Sequence, residues 1–293
     1  MQQAVSKSLL TVPEDVYHLL SRDSTGVAGV DSTVGTDILF HVNKAIESTH
    51  KPREIGKLWA SDIGKECDLF TNLSFHNEEE KEKLAGHVHY KFLYGNVIEE
   101  LTLHLVKEAG HTVTDQQERI EVEVSKGWKV SGKIDGLIDG VLMDVKSAST
   151  FGFNRYAKEG VTQANDTFGY RYQIAFYYYY GPAHWAKHPP KFLFVDKGLG
   201  HIAVVDCELP TMDELQAKMA QKIQAITAAT PPGRLSPVPE GAKGNMKLGL
   251  TCSYCDFKKK CWPDLRTFIY SRGPTFLTTV KSLPNVYEAT NDG

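Results

Sequence analysis

Asp135, Asp144 and Lys146 flank an Asp139-Gly140 pair in a way that can gather two carboxylates and an amine at one point. Asp-Gly is a favoured two-residue type I′ turn. The runs on either side, Lys129 to Lys146, therefore read as a β-hairpin. Counting outward from the turn, Ile138 pairs with Val141, Leu137 with Leu142, Gly136 with Met143 and Asp135 with Asp144. Directly opposed residues share a sheet face, with Cβ atoms about 4.5–5.5 Å apart. Lys146 lies two residues beyond Asp144 and shares that face. The other face takes Ile134, Ile138, Val141, Met143 and Val145, a core-facing set.

Opposed carboxylates repel one another. A hard divalent cation offsets that repulsion, because Mg²⁺ and Mn²⁺ prefer oxygen ligands. Such an ion polarises a phosphate oxygen and lowers the pKa of an attacking water. Lys146 can then orient the water or stabilise charge developing on the phosphate. The competing reading is an exposed hairpin whose acids are neutralised by Lys133 and Lys146. The same register sets Lys133 opposite Lys146, where it serves either reading.

Cysteines supply a second constellation. There are five, at positions 67, 207, 252, 255 and 261. An odd number, in a chain with no secretory leader expected, argues against a disulfide framework. Cys252-Ser-Tyr-Cys255-Asp-Phe-Lys-Lys-Lys-Cys261 is a C-x₂-C-x₅-C cluster offering three thiolates. Cys67 is the candidate fourth, and Cys207, in a strand-like run, reads as a buried free thiol. Four thiolates suit an iron–sulfur cluster or zinc. Only one C-x-x-C pair is present, whereas zinc sites usually draw on two.

Residues up to about Leu84 read as helical and irregular, with a loop at Gly26, Gly29 and Gly35. Tyr94 to Ala109 has helical periodicity in Val97, Leu101 and Leu105, closed by Gly110. Ile120, Val122 and Val124 alternate with charged residues, as in a half-buried strand. After the hairpin come a loop with Gly152 and Gly160, an aromatic helix from Tyr170 to Tyr180, strands at Phe192 to Val195 and His201 to Val205, and a helix from Met212 to Ala229. Pro231, Pro232, Pro237 and Pro239 form a linker, and the tail after Gly273 has no clear pattern. Helices interspersed with strands predict an α/β fold with a mixed sheet.

The 293 residues suit one elaborated domain. The organisation expected is a helical region over 1–90 contributing one cysteine, a core over 91–230, a cysteine region over 231–272 and a tail over 273–293. No apolar run is long enough to span a bilayer, and the N-terminus lacks the signal-peptide pattern. The expected location is the cytoplasm, or the host cytoplasm or nucleus for a viral protein. Net charge is −3, so a general basic coat is excluded and any nucleic-acid contact falls to local patches. Candidates are Lys51, Arg53 and Lys57, and the run Lys258, Lys259, Lys260. No GxxxxGK[ST] phosphate loop is present.

Gly132-Lys133-Ile134-Asp135-Gly136 followed by Asp144-Val145-Lys146 resembles the motif of the PD-(D/E)XK nucleases, in their RecB-like branch. Two further elements of that branch have counterparts. Gly95-Asn96-Val97-Ile98-Glu99 resembles its upstream helix, with Glu99 in the ligand place. Gln173 and Tyr177 resemble its Gln-x-x-x-Tyr helix and lie one turn apart. The proline that names the motif is replaced by Ile134, and many relatives carry histidine where this chain has Glu99. One early cysteine and three late ones resemble the iron–sulfur nucleases of the AddB and CRISPR-associated exonuclease types.

The resemblance implies a restriction-endonuclease-like core with helices flanking a mixed sheet. It implies Mg²⁺ or Mn²⁺ held by Glu99, Asp135, Asp144 and the Val145 carbonyl, with Lys146, Gln173 and Tyr177 completing the site. It further implies a [4Fe–4S] cluster, rather than zinc, on Cys67, Cys252, Cys255 and Cys261. The activity expected is DNA exonuclease action on single strands or duplex ends, in end-processing, repair or recombination, alone or with a recombination partner. The alternatives are an endonuclease or RNA-acting enzyme with the same site, or a non-catalytic DNA-binding module.

Overall fold

The computed structural model describes residues 7–21, 36, 39, 53–82, 86–271 and 273–289. The expected loop at Gly26, Gly29 and Gly35, Lys51 of the first basic patch, Lys83 and Leu84 lie outside the described residues. In chain order the elements are α1 (Val12–Leu20), β1 (Lys57–Trp59), α2 (Ala60–Ile63), α3 (Asp68–His76), α4 (Gly86–Glu108), β2 (Val113–Thr114), β3 (Arg119–Ser125), β4 (Trp128–Lys133), β5 (Gly136–Ile138) and β6 (Val141–Ala148). Then follow α5 (Thr150–Glu159), α6 (Tyr170–Tyr180), β7 (Lys191–Asp196), β8 (Ile202–Asp206), α7 (Met212–Thr227), β9 (Val238–Glu240), β10 (Asn245–Lys247), α8 (Leu250–Ser253), α9 (Lys258–Cys261), β11 (Arg266–Tyr270), β12 (Gly273–Thr279) and β13 (Tyr287–Ala289). The protein is α/β, with mixed sheets.

The central sheet runs β2-β5-β6-β7-β8. β6 and β7 are parallel, joined through α5 and α6, and the other pairs are antiparallel. Helices cover both faces. Ile138, Val141, Met143, Val145, Leu193 and Val195 pack with α1 and α4, whereas Leu137, Leu142, Phe192 and Phe194 pack with α5 and α6. Buried apolar residues on alternate positions of one strand thus serve two separate cores, as a sheet sandwiched between helices requires. Tyr156 of α5 stacks on Phe194 at 4.6 Å.

The type I′ turn forms as the sequence predicts: Asp139 and Gly140 have φ of 50° and 77°, and Ile138, Leu137 and Gly136 pair with Val141, Leu142 and Met143. The hairpin is shorter than expected, however. β4 belongs to a different sheet, ordered β1-β4-β3, with β1 parallel to β4. The chain changes sheets at Ile134-Asp135. Lys133 therefore pairs with Arg119 rather than with Lys146, and Ile134 joins the core on the α6 side, not the set with Val145.

Other elements depart from expectation. The early region contains β1 as well as helices. α4 starts at Gly86, earlier than Tyr94, and Gly110 follows it with φ of 93°. Gly152 lies inside α5, and Gly160, with φ of 73°, ends it. α7 ends at Thr227, and its capping box of Thr211 and Glu214 fixes its start. The proline linker and the tail combine in an antiparallel sheet, β13-β11-β12-β10-β9. Residues 231–272 and 273–289 are therefore not separate units. Pro239 is accommodated because β9 is an edge strand.

Candidate active site

The site begins where a ladder stops. β5 and β6 pair only as far as Gly136 and Met143. Beyond that register β6 keeps β7 on one side, Asp144 to Phe192 through Ala148 to Asp196, and loses β5 on the other. The N–H of Val145 would face an unpaired edge. Asp135 turns its carboxylate into that gap, and Oδ2 accepts the Val145 N–H at 2.7 Å. N–H and C=O of one residue point to the same side of an extended strand, so the Val145 carbonyl faces the same gap.

Asp144 projects from β6 and is 3% exposed. It forms an ion pair with Lys146, two residues on and on the same face. The Lys146 ammonium also stands 5.3 Å from the centre of the Tyr170 ring, at the start of α6. Glu99 reaches in from α4. It is in hydrogen-bond contact with the Asp135 carboxyl and receives the side-chain amide of Gln117 at 3.1 Å. Lys133 in turn donates to Gln117. Gln117 has φ of 59°, a left-handed conformation unusual for a residue with a side chain. That conformation belongs to the turn that delivers its amide to Glu99.

Crowding of acids away from water shows in their proton affinities. Burial, then the neighbouring Glu99, pushes Asp135 up to about 7. Burial likewise pushes Asp144 up to about 7, with Asp135 adding to the rise and Lys146 opposing it. Burial raises Glu99 as well. Burial alone would lower the Lys146 ammonium, but Asp144 and Asp135 outweigh it and hold the group above its ordinary value. A cluster of carboxyls displaced toward neutrality beside a firmly protonated lysine is a functional-site signature.

Gln173 and Tyr177 lie on α6, behind this group. Tyr177 is 2% exposed and hydrogen-bonds with Gln173. Its hydroxyl lies over Gly132 of β4, where any Cβ would come within 2.5 Å of the oxygen. Glycine at 132 is thus a packing requirement. Tyr177 supports the floor of the site and Gln173 fixes its hydroxyl.

The donor set is chemically suited to a hard divalent ion: carboxylate oxygens with mutual repulsion and a backbone carbonyl at the same edge. Its atoms do not yet converge. Asp144 is turned to Lys146 and Asp135 to Val145. Among the described residues, no three His, Cys, Asp or Glu side chains are grouped as around a bound ion.

Cys67, Cys252, Cys255 and Cys261 line one cleft of about 270 Å³. Cys67, at the N-terminus of α3, comes from the early region, and Cys252, Cys255 and Cys261 come from α8, α9 and the loop between them. All are free thiols. Burial, then Cys67 and Cys261, raises Cys252 to about 11. Burial raises Cys255 to about 12, with Cys67 and Cys261 contributing. Burial thus keeps these groups as neutral thiols, and among the described residues no three of them are grouped as around a bound metal. Cys207 stands apart, beside Val161 at the end of β8, where burial pushes its thiol up to about 12.

The basic run is less available than its sequence implies. Lys258 pairs with Glu82 at 2.9 Å and Lys260 with Glu80. Lys259 is exposed, and its backbone N–H donates to Glu82. These contacts tie the cysteine region to the acidic stretch after α3. Arg53 and Lys57 are similarly engaged, with Asp62 at 2.5 Å and Glu121 at 2.6 Å.

No protein-family profile matches the chain, and no curated protein matches it. One solved structure, "Crystal structure of SSO0001", is similar over 79% of this chain and 96% of its own, at 12% identity and a TM-score of 0.47. Among the described residues, no helix is long and apolar enough to cross a membrane.

Gln117 and Tyr170 are the site residues that sequence reasoning missed. The strained conformation of Gln117 has no signature in residue type. Tyr170 is one of several tyrosines on its helix, and only the position of Lys146 singles it out.

Proposed function

We propose that the protein is a metal-dependent phosphodiesterase of the PD-(D/E)XK type, a DNA exonuclease acting in end-processing or recombination. The observation that carries the proposal is the meeting of Asp135, Asp144, Glu99 and Lys146 at the unpaired edge of β6. In this reading Glu99, Asp135, Asp144 and the Val145 carbonyl hold Mg²⁺ or Mn²⁺. When bound, the ion supplies Lewis acidity at a phosphate oxygen and a more acidic water.

The chain's own residues do the rest. Asp144 and Asp135, whose proton affinities burial raises, would hold the cation as carboxylates, and its charge would offset the repulsion between them. Lys146, kept protonated by Asp144 and Asp135, would stabilise the negative charge that develops on the phosphate. Gln117 holds Glu99, and Tyr177 with Gln173 holds the sheet beneath. Cys67, Cys252, Cys255 and Cys261 hold a [4Fe–4S] cluster in the same reading. Bound there, it would crosslink the early region to the C-terminal sheet.

The test is degradation of end-labelled linear DNA, with closed circular DNA alongside. Wild type should degrade linear DNA only with Mg²⁺ or Mn²⁺, and Asp144→Ala should abolish this. Undiminished cleavage by that variant removes the site. Cutting of the circle converts the proposal to an endonuclease. Anaerobically purified protein should be brown and contain iron.

A further inference from the structure

An aromatic path leads from the site to the cysteine cleft. It starts at Tyr170, whose ring lies under the Lys146 ammonium. Phe168 follows, 5.5 Å from Tyr170 between ring centres at an interplanar angle of 30°. Tyr254, between Cys252 and Cys255, meets Phe168 at 6.1 Å and 70°. Tyr170 is half-buried, but Phe168 is 40% and Tyr254 72% exposed. A single exposed ring is ordinary on a protein surface. Two exposed rings in contact, continuous with the lysine of an acidic site, call for an occupant.

Their positions are prescribed. Asp166 accepts the N–H groups of Tyr170 and Arg171, each at 2.9 Å, which fixes the turn into α6. Gly169, with φ of 79°, touches Gly64; a Cβ on either would come within 2.3 Å of the other's backbone. Phe168 is therefore held on a rigid corner. Tyr254 is carried by the cysteine segment and fixed when that segment is. Arg234 lines the same cleft, stacked 3.6 Å over Trp262 and donating to the Cys261 carbonyl. Among the described residues no carboxylate is ion-paired with it, and the N–H groups other than the one on the Cys261 carbonyl can meet a phosphate. Adjacent aromatic faces beside an unpaired guanidinium match unstacked bases on a phosphate backbone.

We infer that Phe168 and Tyr254 form a base-stacking step that seats an unpaired stretch of the DNA strand and aims it at Lys146, with Arg234 on its backbone. This inference rests on the nuclease reading above and names how that site takes its substrate. A paired base has both faces covered by its neighbours and gains nothing from the step, so the effect is confined to single strands. The cysteine clamp acquires a second role, since it carries one half of the platform.

Fluorescence polarisation of a labelled oligodeoxythymidylate tests this on the full, cluster-loaded chain carrying Asp144→Asn, so that the probe survives. Loss of one stacking ring is expected to weaken binding roughly 5- to 150-fold. Phe168→Leu and Tyr254→Leu should each show such a loss, and Tyr254→Phe, which keeps the ring, should stay within about twofold of the parent. A blunt duplex should be nearly indifferent to all three. Unchanged oligonucleotide affinity in both leucine variants, or an equal loss on duplex, overturns the stacking step and leaves the nuclease reading intact. A parent protein that binds neither probe overturns both.

Discussion

Asp144→Asn should make the protein more stable while destroying its activity, and the gain can be worked from the site. Asp144 is buried, and its carboxyl is raised from an ordinary 3.8 to about 7. At 1.36 kcal/mol per pH unit, that rise corresponds to roughly 4 kcal/mol by which the ionised form disfavours folding. The sign follows from proton linkage. Between about pH 4 and 7 the folded chain holds a proton that the unfolded chain releases, so stability without divalent metal falls as pH climbs through that window. Asparagine has nearly the same shape and stays neutral, so the variant escapes the fall. Asp135 is one of the charges behind that rise, so the repulsion between the two acids is already contained in the gain of about 4 kcal/mol at pH 8.

For a chain of this size that is on the order of 5–10 °C in Tm. The assay is thermal unfolding with chelator at pH 5 and pH 8, then with Mn²⁺. The variant should lead by several degrees at pH 8 and by little at pH 5. Mn²⁺ should raise wild type by mass action and leave the variant where it was. A variant less stable than wild type at pH 8, or a lead independent of pH, would refute the argument that burial and like charge govern this carboxyl.

Other perturbations separate the roles of the remaining groups. Lys146→Met should lower kcat by about 10²–10³-fold at saturating Mn²⁺ with little change in KM, because the ammonium is assigned to charge that develops during reaction; an altered KM alone would place it in substrate binding. Gln117→Ala should cost about 10–100-fold in Mn²⁺ affinity, read from activity against metal concentration, because it frees Glu99 from its only described amide donor. Cys255→Ser should abolish bound iron and lower Tm; iron retained at wild-type stoichiometry would remove that cysteine from the clamp, and stoichiometric zinc in wild type would replace the cluster.

Much of the site was legible because its logic is local. The Asp139-Gly140 turn sets the register of six neighbouring residues, and the two-residue spacing of Asp144 and Lys146 gives their shared face; Asp135, expected opposite Asp144, lies beyond that register and accepts the Val145 N–H instead. Gln173 and Tyr177 were legible only through their resemblance to a Gln-x-x-x-Tyr helix. What was hidden depends on partners distant in sequence. The alternation from Lys129 to Ile138 runs unbroken across Ile134-Asp135, because a period of two reports which residues are buried and not which strand they pair with. The switch from one sheet to another leaves no mark in it, and Lys133 was given the wrong neighbour as a result. Likewise the burial of Asp144 is not legible: Leu137 and Leu142 on its face are buried against α5 and α6, and a sheet covered on both sides has no polar face to advertise. The C-terminal strands, three residues long at β9, β10 and β13, are too short to show a period.

That hidden switch creates the site. Had the chain continued in register through Asp135, β5 would have paired with β6 past Asp144, and the Val145 N–H would have found a backbone carbonyl. Asp135 would then be one more cross-strand neighbour, with no call on its carboxylate and two like charges held apart only by side-chain rotamers. Because β5 is three residues long, the edge of β6 is left to be satisfied by a side chain, and an acid is drawn into a dry place where its proton is held up to about pH 7. Extending β5 by mutating its flank toward strand-formers should therefore take from Asp135 the Val145 N–H that lowers its proton affinity, raising that affinity and weakening cation binding together. Either change without the other would show that the edge and the acid are not coupled.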